Sequence, residues 1–110
     1  MNFLTKQVSR KLYERLVRNF VDVIVLSRLR NHGSLSGYDL ILFINKKYDF
    51  LISPGTVYSL LYSLERNGLV EGKWNERKRV YTLTRKGEEN IRLLLEFKKQ
   101  IPRIFTEIFK

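Results

Sequence analysis

The sequence predicts a mainly α-helical fold with a small β-hairpin, which places it in the α+β class. Apolar residues recur at helical spacing through most of the 110 residues. Two short β-prone segments, residues 70–74 and 79–83, flank a polar connection of the kind that joins hairpin strands. Because 44% of the residues are apolar, we expect one domain with a substantial core.

The N-terminal part of the chain is predicted to be helical. Apolar residues recur there every four positions, as on one face of a helix: Val8, Leu12, Leu16, Phe20 and Ile24. The β-branched run 21–26 also suits a strand, but the helical spacing continues to Leu29 and ends at the turn-like residues 31–33, which favours a helix. Asn19 is a suitable N-cap for a second helix, so the pattern fits either one long helix or two short ones.

A second helix is expected from about Gly37 to Tyr48, after a short extended piece at 34–35. Ser36 is a suitable N-cap, and Asp39 stands three residues later, in a capping-box position. These signals fix the start of the helix, and its buried side is expected to carry Leu40, Ile41, Ile44 and Tyr48.

A third helix is predicted from Pro54 to about Asn67. Ser53 is a good N-cap, and proline suits the first helical turn. Val57, Leu61 and Leu64 lie at i, i+4 and i+7 and should face the core. The remaining faces carry small hydroxyl side chains and tyrosines.

The C-terminal part is expected to form the hairpin and then a helix. Residues 75–78 join the two strands, Thr84 is a candidate N-cap, and the last helix starts at Arg85. Pro102 has no backbone N–H, so a kink or restart is expected near Gln100. The resulting element order is that of a winged helix-turn-helix, in which the hairpin is the wing.

The charge of the chain points to an anionic partner. It contains 21 Lys and Arg against 11 Asp and Glu, for a formal net charge of +10. Six cationic residues fall between positions 73 and 86, with Glu76 as the single acid among them. A basic hairpin beside a hydroxyl-rich helix favours double-stranded DNA over mere solubility. We therefore assign residues 1–84 to a DNA-binding domain with an N-terminal helical extension.

The predicted DNA contacts lie on the third helix and the wing. They are Ser53, Thr56, Tyr58, Ser59, Tyr62, Ser63, Lys73, Arg77, Lys78 and Arg79. Tyr58 is equally suited to core packing, and Tyr38 is expected in the core. Trp74 is expected to pack at the base of the wing, with stacking on a ligand or base as the alternative. The first half of the helix contains no Arg, Lys, Asn or Gln, which are the usual side chains for bidentate base contacts. Recognition of the DNA sequence is therefore expected to depend on hydroxyl groups, bound waters and DNA shape.

The tail, residues 85–110, is predicted to be a dimerisation helix because its apolar stripe exceeds what one small domain is able to cover. The residues expected at the interface are Leu94, Leu95, Ile101, Ile104, Phe105 and Ile108. A two-fold dimer would place two reading helices about one DNA turn, roughly 34 Å, apart. The stripe also fits packing on its own subunit, or a helix on a membrane surface flanked by Lys98, Lys99 and Arg103.

The residue inventory argues against an enzyme. There is no cysteine, His32 is the single histidine, and neither a metal-spaced acid cluster nor a glycine-rich phosphate loop occurs. We expect no catalytic residue, metal or cofactor. The N-terminus lacks the apolar stretch of a signal peptide and the apolar runs are too short for a membrane span, so a cytoplasmic protein is expected.

Four segments resemble the PadR-like family of transcriptional regulators. Gly37-Tyr38-Asp39-Leu40 is similar to the start of the family's second helix, and Ser53-Pro54-Gly55-Thr56-Val57-Tyr58 to the start of its recognition helix. That second motif is followed by Leu61 and by residues 64–70, and residues 79–87, RVYTLTRKG, resemble the family's exit from the wing. The resemblance covers residues 35–87.

The resemblance implies a homodimeric DNA-binding repressor whose C-terminal helix supplies the dimer contact, with the N-terminal helix joining it. Some members of the family bind hydrophobic effectors between subunits, and the sequence leaves open whether this chain does. Two rival interpretations remain: an architectural DNA-binding protein with little sequence preference, and a winged-helix module that binds an acidic protein partner.

Overall fold

The computed structural model describes residues 2–110 as a helical chain with one small antiparallel sheet, in agreement with the predicted fold class. The helices are α1 (Phe3–Asn19), α2 (Val21–His32), α3 (Gly37–Tyr48), α4 (Pro54–Arg66), α5 (Arg85–Phe97) and α6 (Ile101–Ile108). The strands are β1 (Leu35–Ser36), β2 (Val70–Asn75) and β3 (Lys78–Leu83).

The N-terminal segment forms two helices, which decides between the two predicted alternatives. The break lies at Phe20, whose backbone has φ −114° and ψ 19° and whose N–H donates to the carbonyls of Leu16 and Val17. Asn19 is therefore the last residue of α1 rather than the cap of α2. The β-branched run at the start of α2 is helical because its side chains face the core, where Val21 and Val25 are buried.

Helix α3 has the predicted bounds and the predicted capping box. The Ser36 hydroxyl accepts from the Asp39 N–H at 3.1 Å, and the Asp39 carboxylate accepts from the Ser36 N–H at 3.0 Å. The helix ends at Asp49, which has a left-handed backbone with φ 48°. The two reciprocal bonds satisfy backbone groups that a helix start would otherwise leave open.

Helix α4 starts where predicted, but its cap differs. Ser53 occupies the N-cap position, yet its side chain makes no capping hydrogen bond, and its carbonyl oxygen instead accepts from the N–H groups of Thr56 and Val57. Ser53 is thus the N-cap residue, as predicted, but without a capping bond from its side chain. Because Pro54 presets the first helical turn, the helix begins without that bond.

The core lies between α2, α3, α4 and the first half of α5. The fully buried side chains are Val25, Leu26, Leu29, Leu40, Ile44, Val57, Leu61, Val70 and Ile91. The predicted inward residues of α4 are all buried, including Leu64. Helix α2 contacts α1, α3, α4, α5 and β3, so it is the central element of the domain.

The sheet has the strand order β1-β3-β2, and both pairs are antiparallel. Ser36 pairs with Val80, which attaches the start of α3 to the wing. The two hairpin strands run one residue further than predicted, because Asn75 pairs with Lys78. The connection is thus the two residues Glu76 and Arg77, and Glu76 adopts a left-handed φ of 60°.

The C-terminal helix is interrupted as expected. Thr84 caps α5, its hydroxyl accepting from the Gly87 N–H at 3.0 Å. A 3-10 turn, Lys98–Gln100, separates α5 from α6, and Pro102 lies in the first turn of α6, where its missing N–H removes no helical bond. Within residues 2–110, no helix combines the length and apolar character that a membrane crossing needs.

Candidate nucleic-acid interface

The outward face of α4 is the first part of the candidate interface. Thr56, Ser59 and Ser63 follow one another at i, i+3 and i+7 and therefore lie along one side of the helix. Thr56 and Ser59 are exposed, whereas Ser63 is half-buried. Ser53 is also exposed, at the start of the helix. The face is short and hydroxyl-rich, so it permits close approach by another surface.

Two tyrosines border this face. Tyr62 is exposed, and the Arg66 guanidinium lies 5.6 Å from its ring centroid. The Tyr58 ring lies against Gly37, in the space that a Cβ at that position would occupy. About half of the Tyr58 side chain is nevertheless exposed. Tyr58 therefore packs between α3 and α4 while part of its side chain stays accessible, and its role as a DNA contact remains a prediction.

Tyr38 is not in the core, so its predicted placement was wrong. It is 58% exposed in the first turn of α3. The buried side of α3 carries Gly37 and Leu40 instead, and the Tyr58 ring occupies the space beside Gly37. Tyr38 is consequently an additional exposed aromatic side chain in the helix-turn-helix that the sequence analysis did not assign to the surface.

The tip of the wing carries accessible cations. Arg77 and Lys78 are exposed at the turn, next to the equally exposed Asn75 and Glu76. Lys73 is exposed too, with its ammonium nitrogen 3.6 Å from the Glu71 carboxylate in a pair that solvent surrounds. Pairs of this kind are weak, so all three cations remain able to exchange partners.

Arg79 differs from the other wing cations. Its guanidinium donates to the Glu65 carboxylate on α4 at 2.8 Å. The same carboxylate oxygen accepts from the Gly72 N–H at 3.1 Å. Both charged side chains are partly buried, with 34% and 30% exposure for Arg79 and Glu65. Sequence reasoning missed this pair, because 14 residues separate its members and no periodic pattern links them.

Trp74 does not pack at the base of the wing, so that prediction was wrong. It is 68% exposed, on the edge strand β2 and opposite Arg79 in the register. The Arg79 guanidinium lies 5.8 Å from its ring centroid. The core ends before this part of the hairpin, since Val70 and Tyr81 are the buried wing residues.

The basic cluster between positions 73 and 86 does not act as one patch. The Lys86 ammonium donates to the Asn67 carbonyl at 2.9 Å, at the C-terminal end of α4. Cations in that position stabilise the unpaired carbonyls of a helix end. Lys86 is therefore engaged within the domain, while Arg77 and Lys78 lie at the tip.

The electrostatics of the helix-turn-helix include one perturbed carboxyl group. Hydrogen bonds from the Ser36 backbone and side chain hold the pKa of Asp39 below its ordinary value, and the nearby Lys78 ammonium acts in the same direction. Asp39 therefore stays ionised and keeps the capping box intact at neutral pH. Ser36 pairs with Val80, two residues after Lys78, so this part of the wing lies beside the start of α3.

The predicted dimer residues form two groups. Leu95, Ile101 and Phe105 are half-buried, and the more exposed residues are Leu94, Ile104 and Ile108. All of them except Ile108 border an open apolar groove between α2, α5 and α6, together with Phe20, Val23 and Phe97. Sequence reasoning missed the part that the start of α2 plays here, although Phe20 belongs to the four-residue apolar spacing.

A second apolar surface lies on α1. Leu4, Val8 and Leu12 repeat at four-residue intervals and are exposed. The opposite side of α1 faces its own domain, where Val17 is buried and the Tyr13 hydroxyl donates to the Tyr48 carbonyl at 2.7 Å. The stripe continues through Leu16 to Phe20 and so leads into the groove described above.

The described residues contain no arrangement typical of a metal centre. Within residues 2–110, no three His, Cys, Asp or Glu side chains cluster closely enough to hold a metal ion. The fold and its surface instead define the class of winged helix-turn-helix proteins.

Comparisons with known proteins identify the family. Residues 25–93 match the model of the Transcriptional regulator PadR-like family, and the chain belongs to that family. A search of curated protein sequences gave no match. Members of this family are transcriptional regulators rather than enzymes, as the residue inventory predicts.

Solved structures agree with this assignment. A transcriptional regulator from Clostridium thermocellum is 28% identical, with a TM-score of 0.74 over 88% of this chain and 97% of its own. A PadR family transcriptional regulator from Eggerthella lenta has the same fold at 20% identity, with a TM-score of 0.80 over 99% of this chain and 98% of its own. A winged-helix DNA-binding protein from STIV is 28% identical, with a TM-score of 0.64 over 77% and 91% of the two chains.

Proposed function

We propose that the chain is a sequence-specific, double-stranded-DNA-binding regulator that acts as a homodimeric repressor. The observation that carries the proposal is the position of Arg77 and Lys78 on the wing of the same small domain that exposes the hydroxyl-rich face of α4. Membership of a family of transcriptional regulators supports it. DNA binding is also the property named for the winged-helix protein from STIV.

In the proposed complex, the N-terminal half of α4 enters the major groove. Thr56, Ser59 and Ser63 approach base edges through their hydroxyl groups or through water, and Tyr62 lies beside them. The Gly55 N–H at the start of α4 and the Ser53 side chain contact a phosphate. The exposed part of Tyr58 is available to the same backbone. Short side chains leave room for the groove walls, so DNA shape contributes to sequence choice.

The wing supplies charge rather than sequence information. Lys73, Arg77 and Lys78 are exposed cations on the hairpin, and each neutralised phosphate releases bound counterions. Binding should therefore weaken steeply with salt. Arg79, predicted from the sequence as a fourth contact, is paired with Glu65.

The dimer is proposed to form through the apolar surfaces at the two ends of the chain. Residues 85–110 carry the predicted interface, and residues 1–84 contain the DNA-binding domain with its helical extension. The stripe on α1 runs into the groove beside Phe20, so a partner subunit would cover both surfaces together. Two-fold symmetry then presents two α4 helices to successive major grooves, roughly 34 Å apart.

Repression follows from occupancy. A dimer bound across a promoter excludes other proteins from the same DNA without any further chemistry. The DNA partner implies a cytoplasmic location, which the sequence analysis also predicts. Whether a small-molecule effector controls binding is a separate question, and the proposal does not depend on it.

Selection of bound fragments from the source genome tests the proposal. Purified protein should enrich a common motif, and the enriched fragment should bind about 10³-fold or more tightly than bulk DNA at moderate salt. Equal affinity for the enriched fragment and bulk DNA would support an architectural protein instead. Enrichment of coding sequence without promoters would contradict a regulatory role.

A further inference from the structure

An ion pair connects the wing to α4, and the arginine side chain of that pair passes over a glycine of the neighbouring strand. Arg79 leaves β3, passes over Gly72 of the neighbouring strand and donates to Glu65 on α4 at 2.8 Å. The receiving Glu65 oxygen also accepts from the Gly72 N–H at 3.1 Å. One carboxylate therefore joins both strands of the hairpin to the helix.

Gly72 makes this crossing possible. A Cβ at that position would lie 2.6 Å from the Arg79 Nε and 3.0 Å from its Cζ. Its φ is not in the left-handed range, so its backbone conformation does not require a glycine. The need is for space, because any side chain at position 72 would displace the guanidinium from its path.

The surroundings hold the guanidinium in place. The ring centroids of Trp74 and Tyr81 lie 5.8 and 6.0 Å from the Arg79 Cζ, within the range of favourable cation–aromatic contact. The Arg79 and Glu65 side chains are about two-thirds shielded, at 34% and 30% exposure. A phosphate contact by Arg79 would have to break this pair and leave the carboxylate unpaired beside an anion.

We propose that Arg79 is a positioning residue, and that Glu65, Gly72 and Arg79 form a clasp that holds the wing in a fixed orientation against α4. The inference rests on the proposed function, since the orientation matters for bringing the wing tip and the α4 face onto one duplex. It assigns Arg79 a different task from the direct phosphate contact that the sequence suggests. Arg77 and Lys78 remain the contacting cations of the tip.

Hydrogen exchange of the free protein tests the clasp without DNA. In the Arg79→Ala variant, we expect the Gly72 amide to exchange about tenfold faster, because Glu65 loses the partner that fixes its carboxylate. Arg77→Ala is the matched control, since it removes an exposed arginine from the same hairpin and should leave that rate unchanged. Equal rates at Gly72 in both variants would overturn the proposal.

Measurements of DNA affinity test whether the clasp supports binding, because the clasp and simple electrostatics predict opposite changes in affinity for Glu65→Ala. Glu65→Ala and Glu71→Ala each remove one carboxylate from the region, and simple electrostatics predicts tighter binding for both. The clasp predicts that Glu71→Ala binds a labelled random-sequence duplex of about 30 base pairs at least as tightly as wild type, whereas Glu65→Ala binds about five- to tenfold more weakly. Tighter binding by Glu65→Ala would overturn the proposal.

The salt dependence separates positioning from contact. Arg79→Ala should weaken binding with an unchanged slope of log K against log salt, while Arg77→Ala should lower the magnitude of the slope by about one per subunit. An equal loss of slope in both variants would make Arg79 a phosphate contact and overturn the clasp. If wild-type protein binds no duplex, the proposed function fails, and the exchange experiment still decides whether the clasp exists.

Discussion

At the scale of single residues, the hydrogen bonds at the start of α3 show how a local motif connects the helix-turn-helix to the sheet. Ser36 is at once the last residue of β1 and the cap of α3, and it pairs with Val80 of the wing. Its reciprocal bonds with Asp39 therefore fix the helix-turn-helix and the sheet at one point. The Tyr38 side chain, which lies between Ser36 and Asp39 in the sequence, is exposed in this first turn of α3.

The capping box leads to a prediction about stability. Asp39→Ala should reduce the free energy of unfolding by about 1 kcal/mol at neutral pH, because the Ser36 N–H loses its carboxylate acceptor while the backbone N–H of residue 39 keeps its bond to the Ser36 hydroxyl. Urea denaturation followed by circular dichroism measures the difference. A matched control is Glu107→Ala, which removes an exposed carboxylate from α6 and should change stability little.

The difference in unfolding free energy between wild type and Asp39→Ala should depend on pH. The pKa of Asp39 is lower in the folded protein than in the unfolded chain, so its contribution is complete above the unfolded value of about 4 and is lost as the pH falls through the folded value. The stability gap between wild type and Asp39→Ala should thus narrow in acid. A gap that widens below about pH 4 would contradict the account.

At the scale of elements, the crossing of α3 and α4 determines which side of α4 faces outward. The two helices meet where the Tyr58 ring lies against Gly37, and no larger residue fits there without displacing the ring. Core residues of both helices, Leu40 and Val57 among them, are fully buried on the adjoining faces. The exposed face of α4 is therefore held by packing on its opposite side.

Gly37→Ala tests the crossing. The new methyl group would overlap the Tyr58 ring, so we expect a loss of about 1–3 kcal/mol in the free energy of unfolding. In the double variant Gly37→Ala/Tyr58→Ala, the added cost of the alanine at 37 should largely disappear, because the ring is gone. Additive losses in this double-mutant cycle would show that the two residues do not compete for the same space.

The elements also show how far the sequence alone specifies this fold. Periodicity and capping residues place α3 and α4 to within a residue, since both signals are local. Tyr38 and Trp74 were misplaced because their burial depends on what packs against them, which periodicity does not record. The Glu65–Arg79 pair was invisible for the same reason. The sequence placed the hydroxyl-bearing residues of α4 on its outward side, because Val57, Leu61 and Leu64 occupy the side of the helix that faces the core.

At the scale of the whole molecule, the domain leaves two apolar surfaces open. The chain measures 50 × 29 × 21 Å along its principal axes. One surface is the α1 stripe of Leu4, Val8 and Leu12, whose four-residue spacing continues to Phe20, and the other is the groove between α2, α5 and α6, which Phe20 lines. A monomer would expose both to water, so a second copy of the chain is the proposed cover.

Charge placed on these surfaces should dissociate the dimer. Val8 and Ile104 are 61% and 41% exposed, so Val8→Glu and Ile104→Glu should fold normally but sediment as monomers in analytical ultracentrifugation. Leu42→Glu is the control, since Leu42 on α3 is 49% exposed and outside both surfaces. Dimers that persist in both test variants would place the interface elsewhere, and a monomeric wild type would exclude the proposed dimer.

The central claim is that the wing cations and the α4 face bind one DNA duplex together. Its most direct test is the salt dependence of duplex affinity for wild type and for Arg77→Ala/Lys78→Ala, in which two exposed cations of the wing are removed. The account predicts a steep slope for wild type and a slope smaller in magnitude by about two per subunit for the variant, with an unchanged fold. A wild type that ignores duplex DNA at low salt, or a variant with the wild-type slope, would contradict it.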